Sequence, residues 1–170
     1  MTPHAQTGAI MRGVKVPMRD GVHLATDVFL PGPGRHPVVL VRTAYNKTSP
    51  AAPAFTSKGM AYVCQDVRGR YQSEGEWYPF VHEAEDGFDT LEWIGRQPWC
   101  NGKIGMFGDS YLAATQFLAA PEGSEYLCAL NPRFMTGDGW KRAYYCDGAF
   151  SLALTHSWLC FEVAARTSDA

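Results

Sequence analysis

Val14-Lys15-Val16-Pro17-Met18 alternates between apolar and polar positions, and after Arg19-Asp20-Gly21 the chain runs on through residues 22–29. Asp-Gly tolerates positive φ at both positions, so this stretch predicts a strand, a tight turn and a second strand. Residues 38–42 and 61–65 differ: each is a short continuous apolar run, the pattern of a strand covered on both faces. Pro31-Gly32-Pro33-Gly34 is a loop before the first run, and Gly59 precedes the second. Over residues 83–96, Phe88, Leu91 and Ile94 recur at three-residue steps. With Asp and Glu in its first turn, this segment predicts an amphipathic helix whose acids suit the N-terminal dipole. Pro98 stops the helix and Asn101-Gly102 turns the chain. A third buried strand is predicted over residues 104–107, an Ala- and Leu-rich helix over 111–120, and a fourth strand over 126–130.

An opening hairpin followed by alternating strands and helices implies an α/β fold with a mostly parallel sheet. Three segments follow from the pattern: an N-terminal extension over residues 1–13, a core over 14–132, and the start of a helical insertion over 133–170. In the last of these Trp140, Tyr144, Tyr145, Phe150, Trp158 and Phe161 crowd together, with clean helical periodicity only over 149–165.

Composition narrows the picture. A chain of 170 residues with 46% hydrophobic and 19% charged positions can bury a core and is globular. The net charge of −2, without blocks of like charge, gives no reason to expect nucleic acid or a membrane as partner. No apolar run approaches the roughly 20 residues that span a bilayer. Residues 1–12 lack the apolar centre of a secretion signal, so a cytoplasmic location is expected. The five cysteines stand at irregular spacing without a C-x-x-C pair. They read as small buried hydrophobes in a reducing compartment, and neither a metal nor a cofactor is expected. Glycines at 102, 105 and 108 have the wrong spacing for a dinucleotide fingerprint.

The chemistry concentrates at Gly108-Asp109-Ser110-Tyr111-Leu112-Ala113, between a predicted strand and a predicted helix. A serine nucleophile at such a junction needs a very sharp turn, so the residues two before and two after it should be small. Gly108 meets that demand and Leu112 does not. Ser110 would stand at the carboxyl end of a central strand, where open α/β sheets bind ligands. The N–H of Tyr111 would be placed to donate to a developing oxyanion. On pattern alone a second reading stands beside this one: Ser110 simply caps the helix.

Several segments together decide between them. Val16-Pro17-Met18-Arg19-Asp20-Gly21-Val22-His23-Leu24, Arg42-Thr43-Ala44-Tyr45-Asn46-Lys47 and Gln65-Asp66-Val67-Arg68-Gly69-Arg70-Tyr71-Gln72-Ser73-Glu74-Gly75 come first. Asn101-Gly102-Lys103-Ile104-Gly105-Met106-Phe107-Gly108-Asp109-Ser110-Tyr111 follows, then Gly139-Trp140 and Gly148-Ala149-Phe150. In this order they resemble the cocaine esterase / X-Pro dipeptidyl-peptidase (CocE/NonD) family of α/β-hydrolases. The resemblance implies an α/β-hydrolase fold, here the N-terminal half of its mostly parallel sheet with the start of a helical cap. It also implies a serine hydrolase working through an acyl-enzyme on Ser110, with a small-molecule ester or amide as substrate and no cofactor. The oxyanion hole it implies is the Tyr111 backbone N–H together with the Tyr45 hydroxyl. Ala113 stands where the family carries a glycine.

Asp66, Arg68, Ser73 and Gly75 match a further family motif, expected to brace the site. The triad acid and base are expected beyond residue 170, so the isolated chain is expected to be inactive, with an unpaired sheet edge near residues 126–130. Asp109, Asp138, Asp147 and His156 are accordingly expected to be structural. The amino-ester branch of the family holds a substrate ammonium with acids after its Gly-Trp pair. Lys141-Arg142-Ala143-Tyr144 stands here instead, so that subsite is not carried over. The alternative reading is a non-catalytic fragment or pseudoenzyme that binds without turnover. Homo-oligomerisation is left open for the full-length protein.

Overall fold

The computed structural model describes residues 8–48 and 51–160. Among these residues eight strands and four α-helices run in the order β1 (Ile10–Pro17), β2 (His23–Phe29), β3 (His36–Thr43), α1 (Ala52–Thr56), β4 (Ala61–Asp66), α2 (Glu83–Gly95), β5 (Cys100–Asp109), α3 (Tyr111–Ala119), β6 (Leu127–Arg133), β7 (Tyr145–Cys146), β8 (Ala149–Phe150) and α4 (Leu152–Ser157). The first six strands form one sheet in the order β1-β2-β4-β3-β5-β6. β1 and β2 are antiparallel to their neighbours, while β4, β3, β5 and β6 pair in parallel. Among the described residues no helix is long and apolar enough to cross a membrane.

Two-sided burial explains the apolar runs. Val38 and Leu40 of β3, Ala61 and Val63 of β4, and Ile104 and Met106 of β5 join Leu91 and Ile94 of α2 and Ala119 of α3 in one core. The intervening residues Val41, Tyr62 and Cys64 belong to a second core with Ala52 of α1, on the other face. Period two thus persists in the strands, but both phases are apolar because helices cover both sides. The chain leaves β3 to build β4 on one side and returns through α2 to build β5 on the other. The carboxyl ends of β3 and β5 therefore lie side by side at a switch point, the customary ligand position in such sheets.

Several sequence expectations shift. The segment 1–13 is not all extension: β1 begins at Ile10. A bulge between Met11 and Val14 breaks the alternation there, and Asp27 of β2 accepts from both the Gly13 N–H (2.8 Å) and Arg12 Nη1 (3.2 Å). Asn101-Gly102 does not end the strand that follows. It lies inside β5, where Cys100 pairs with His36 and Ile104 with Val38, so the two extra residues bulge out of register. The strand expected over 126–130 runs on to Arg133 and forms the edge of the sheet, with Leu130 38% exposed. The helical start expected at 149 is a two-residue strand, and helix begins at Leu152. Residues 161–170, which carry the rest of that periodicity and Phe161, lie outside the described residues. α1 follows a loop and had no sequence expectation.

The loop after β4 is held by charge. Arg68 donates to both Asp86 oxygens of α2 (2.6 and 3.0 Å) and to Asp20 in the opening hairpin (2.7 Å). Ser73 Oγ donates to the Asp66 carbonyl and accepts the Ala25 N–H. Arg68 thus ties three elements together and holds the Asp20 carboxyl below its usual range. Asp66 itself has no exposed surface, accepts the Lys47 N–H at 2.7 Å and lies 3.7 Å from Lys47 Nζ. Burial pushes its carboxyl up to about 6, against the pull of Lys47.

Two predictions follow from this packing. An Ala Cβ at Gly87 of α2 would collide with Ala119 Cβ of α3. Gly→Ala inside a helix ordinarily gains about 1 kcal/mol of propensity, whereas overpacking costs about 1–3 kcal/mol. Gly87→Ala should therefore lower stability by about 1 kcal/mol in urea unfolding; a higher midpoint would refute the close approach. For Asp66 the folded carboxyl binds its proton more tightly than the unfolded one, which titrates near about 3.9. Its contribution is present below pH 4 and lost as pH rises through 6. Wild type should lose about 1–2 kcal/mol relative to Asp66→Asn between pH 4 and 7, and parallel stability curves would contradict this.

Candidate active site

β5 ends at Asp109 and α3 begins at Tyr111, which leaves one residue to turn the chain. Ser110 makes that turn at φ 55°, ψ −120°, a left-handed conformation that costs a non-glycine residue about 1–3 kcal/mol. Its neighbours hold it there. The Ser110 N–H donates to the Arg133 carbonyl of β6 (2.9 Å), and its carbonyl accepts from the N–H groups of Ala113 (2.9 Å) and Ala114 (3.1 Å). Its side chain makes no capping hydrogen bond. A serine cap has extended φ and bends its hydroxyl back over the first turn, so the capping alternative does not describe this residue.

The demand for small flanking residues turns out to be one-sided. Gly108 has φ 147°, and a Cβ there would collide with Leu112 Cβ. Leu112 is tolerated two residues after the serine because Gly108 has no side chain. Gln116 of α3 secures the junction by donating to the Gly108 carbonyl (3.2 Å) and accepting the Asn131 N–H of β6 (3.0 Å). Ala113 is fully buried.

Tyr45 follows β3, the strand beside β5, and its N–H donates to Thr43 Oγ1 (2.9 Å). Its hydroxyl accepts the indole N–H of Trp158 at 2.9 Å. Ser110, Tyr45 and Tyr111 line one cavity of about 480 Å³, walled also by Phe80, Tyr144 and Trp158. The lining is mostly apolar, and among the described residues Arg142 is the only charged one in it. The Tyr45 and Tyr111 rings meet edge to face with centroids 6.3 Å apart.

The side chain of Tyr111 was not singled out by the sequence. Its hydroxyl donates to Glu83 Oε1 (2.7 Å) and accepts from Trp77 Nε1 (3.1 Å) and the Phe80 N–H (3.2 Å). Burial and the neighbouring Glu83 charge push the phenol well above its ordinary range, so it stays protonated. Glu83 is 3% exposed and faces the fully buried Arg42 at 2.8 Å. In sequence Glu83 is only one acid among several in a first helical turn. The one signal available was Arg42, a cation closing an apolar strand and needing a partner.

None of the acids or the histidine expected to be structural lines this cavity among the described residues. Asp109 forks onto Arg133 (2.6 and 3.0 Å), and Asp138 accepts the Lys141 N–H (3.0 Å). His156 lies 3.6 Å from Cys160 Sγ, and neither His156 nor Asp147 lines the cavity. Among the described residues no three His, Cys, Asp or Glu side chains cluster as a metal site would require.

Known proteins share this fold. The profile of the family described as X-Pro dipeptidyl-peptidase (S15 family) matches residues 20–170. Cocaine esterase of Rhodococcus sp. (strain MB1 Bresler) is 41% identical over 160 residues, covering 88% of this chain and 28% of that protein. A CocE/NonD family hydrolase from Staphylococcus aureus superposes with a TM-score of 0.82 at 26% identity, over 95% of this chain and 34% of its own. An α-amino acid ester hydrolase gives 0.79 at 29% identity, over 98% of this chain and 31% of its own. The chain thus spans about a third or less of the length of these relatives. Its mixed sheet with helices on both faces is the corresponding part of an α/β-hydrolase fold, and the chain belongs to the X-Pro dipeptidyl-peptidase (S15) family.

Proposed function

We propose that this chain carries the nucleophile and the oxyanion hole of a serine hydrolase acting on acyl esters or amides. The observation that carries the reading is the strained Ser110, turned into an apolar cavity that Tyr45 also lines. Ser110 Oγ attacks the substrate carbonyl carbon while a base takes its proton. The carbonyl electrons move onto oxygen, which meets the Tyr111 N–H and the Tyr45 hydroxyl. Collapse breaks the bond to the leaving alcohol or amine, which takes the proton, and water then releases the acid from the acyl-enzyme. The accepted bond from Trp158 polarises the Tyr45 phenol and strengthens it as a donor. The Tyr111 N–H is among the first of α3 and has no partner within the helix. The family is named for a peptidase and the 41% identical relative is an esterase, so esters and X-Pro amides are the substrates to test first.

In this fold the acid and base follow the nucleophile. His156 follows it here but faces Cys160, so we assign both roles to sequence that lies beyond the matched third of the relatives. Five free thiols fit a cytoplasmic setting.

Labelling with a fluorophosphonate tests the assignment. A polypeptide that includes the acid and base should be modified at Ser110, and Ser110→Ala should abolish both labelling and turnover. Residues 1–170 alone should turn over about 10⁶-fold more slowly, as expected without a base. Burst acylation of Ser110 in that segment would contradict the assignment of the base, and absence of labelling in the longer polypeptide would favour a protein that binds without turnover. Tyr45→Phe removes one oxyanion donor and should lower kcat about 10²–10³-fold with KM little changed. An unaltered kcat would remove Tyr45 from the mechanism.

A further inference from the structure

We infer that Glu83 is a positioning residue: through the buried phenol of Tyr111 it fixes the peptide whose N–H meets the oxyanion. This rests on the serine hydrolase reading above and goes beyond it. A phenol offers one proton and two lone pairs, and all three are used at Tyr111, by Glu83, Trp77 and the Phe80 N–H. The ring is also stacked on Phe80 with centroids 4.7 Å apart. The ring of the residue that supplies the oxyanion N–H is thereby anchored at its far end as well as at its Cα.

The anchor leads back to the rigid part of the fold. Glu83 Oε2 lies 2.8 Å from Arg42 Nη1, and the same nitrogen donates to the Glu83 carbonyl at 3.0 Å. Arg42 Nε donates to Gln65 Oε1 at 2.8 Å, and Gln65 Nε2 donates to Thr26 Oγ1 at 3.1 Å. Each of these residues is buried, and they stand on β3, β4 and β2. A line of hydrogen bonds, carried from Arg42 to Glu83 by the Glu83 carbonyl and an ion pair, runs from three strands, through the first turn of α2, to the residue beside the nucleophile. Phenylalanine opposite an apolar residue would fill the same space without burying a carboxylate, a guanidinium and a hydroxyl. What the polar line adds is direction. It also helps to over-determine Ser110, whose left-handed φ persists only where the surroundings enforce it.

Losing the link should let the Tyr111 peptide tilt. An oxyanion donor acts mainly in the transition state, so kcat should fall while substrate binding holds. In the full-length enzyme, with rates normalised to fluorophosphonate-titrated sites, Tyr111→Phe should lower kcat about 10- to 100-fold with KM within about twofold. Affinity for a boronic acid, whose adduct is tetrahedral like the intermediate, should fall by the same factor. Glu83→Gln, which exchanges the carboxylate for a weaker amide acceptor, should act in the same direction and more weakly, and in the double variant the two losses should be less than additive, because the Tyr111–Glu83 bond is common to both. A residue that only supported folding would lower the number of titratable sites and leave kcat per site and boronate affinity intact. That result would overturn the inference. If Tyr111→Phe does not fold, Trp77→Phe, which removes one of the three phenol bonds, should give a smaller loss of the same kind; an unchanged kcat per site there would count against the inference. A wild-type enzyme without titratable Ser110 would instead refute the hydrolase reading itself.

Discussion

Arg42 stands next to last in a strand in the middle of the sheet with none of its surface exposed, and a guanidinium in that position must be met by charge. The surrounding structure follows from how this is done. Glu83 and Asp86, one turn apart in α2, face it at 2.8 and 3.9 Å, so the rotation of α2 about its axis is set by ionic geometry as much as by Leu91 and Ile94. Asp86 is shared with Arg68, and Arg68 reaches Asp20 in the opening hairpin. Buried ion pairs of this kind contribute little net stability compared with an apolar packing, but removing one partner is costly. The arrangement is better understood as specifying position: hairpin, loop, helix and sheet are brought to a single register.

The junction at Ser110 uses that register. A strand and a helix joined through one left-handed residue store strain, and strain relaxes wherever the flanking elements can move. Here they cannot easily move. β6 takes the serine N–H, Gln116 bridges β5 to β6, Leu112 fills the space that Gly108 leaves open, and Tyr111 is tied to α2. The hydroxyl makes no capping bond to its own helix and Ser110 lines the cavity, as the proposed nucleophile requires.

Much of the sheet was legible in the sequence because its signals are local. Asp20-Gly21 marks the hairpin, and the unbroken runs at 38–42 and 61–65 belong to strands flanked by two cores. The bulges were not legible. Gly13 and Gly102 resemble strand breakers, and only the partner strand shows that the ladder continues past them. The helix α2 was legible from Phe88, Leu91 and Ile94, and its acids were expected to suit the dipole, but nothing in the sequence marked Glu83 and Asp86 as buried. The reason is physical: the charge they answer is on Arg42, forty-one residues before Glu83, and its burial is set by tertiary packing. Ser110 and Tyr45 came from motif resemblance. The phenol of Tyr111 and the indole of Trp158 carried no spacing signal at all, since neither acts through its sequence neighbours.

Trp158 and Tyr45 are 113 positions apart and meet at 2.9 Å, so the first part of the cap is coupled directly to the loop that follows β3. The same indole lies against Tyr111 and Phe80 in stacked geometry and edge-on to Trp77. Tyr111 is therefore the hub of an aromatic cluster that contains both the cavity wall and both proposed oxyanion donors. A displacement of the cap cannot leave the donors untouched, because the ring that supports Tyr45 also packs on the ring attached to the Tyr111 peptide. On the proposed reading, access to the cavity and alignment of the oxyanion donors are then coupled through Trp158. Anything that seats against Trp158 acts on the geometry at Ser110, and the buried line from Arg42 through Glu83 is what opposes it.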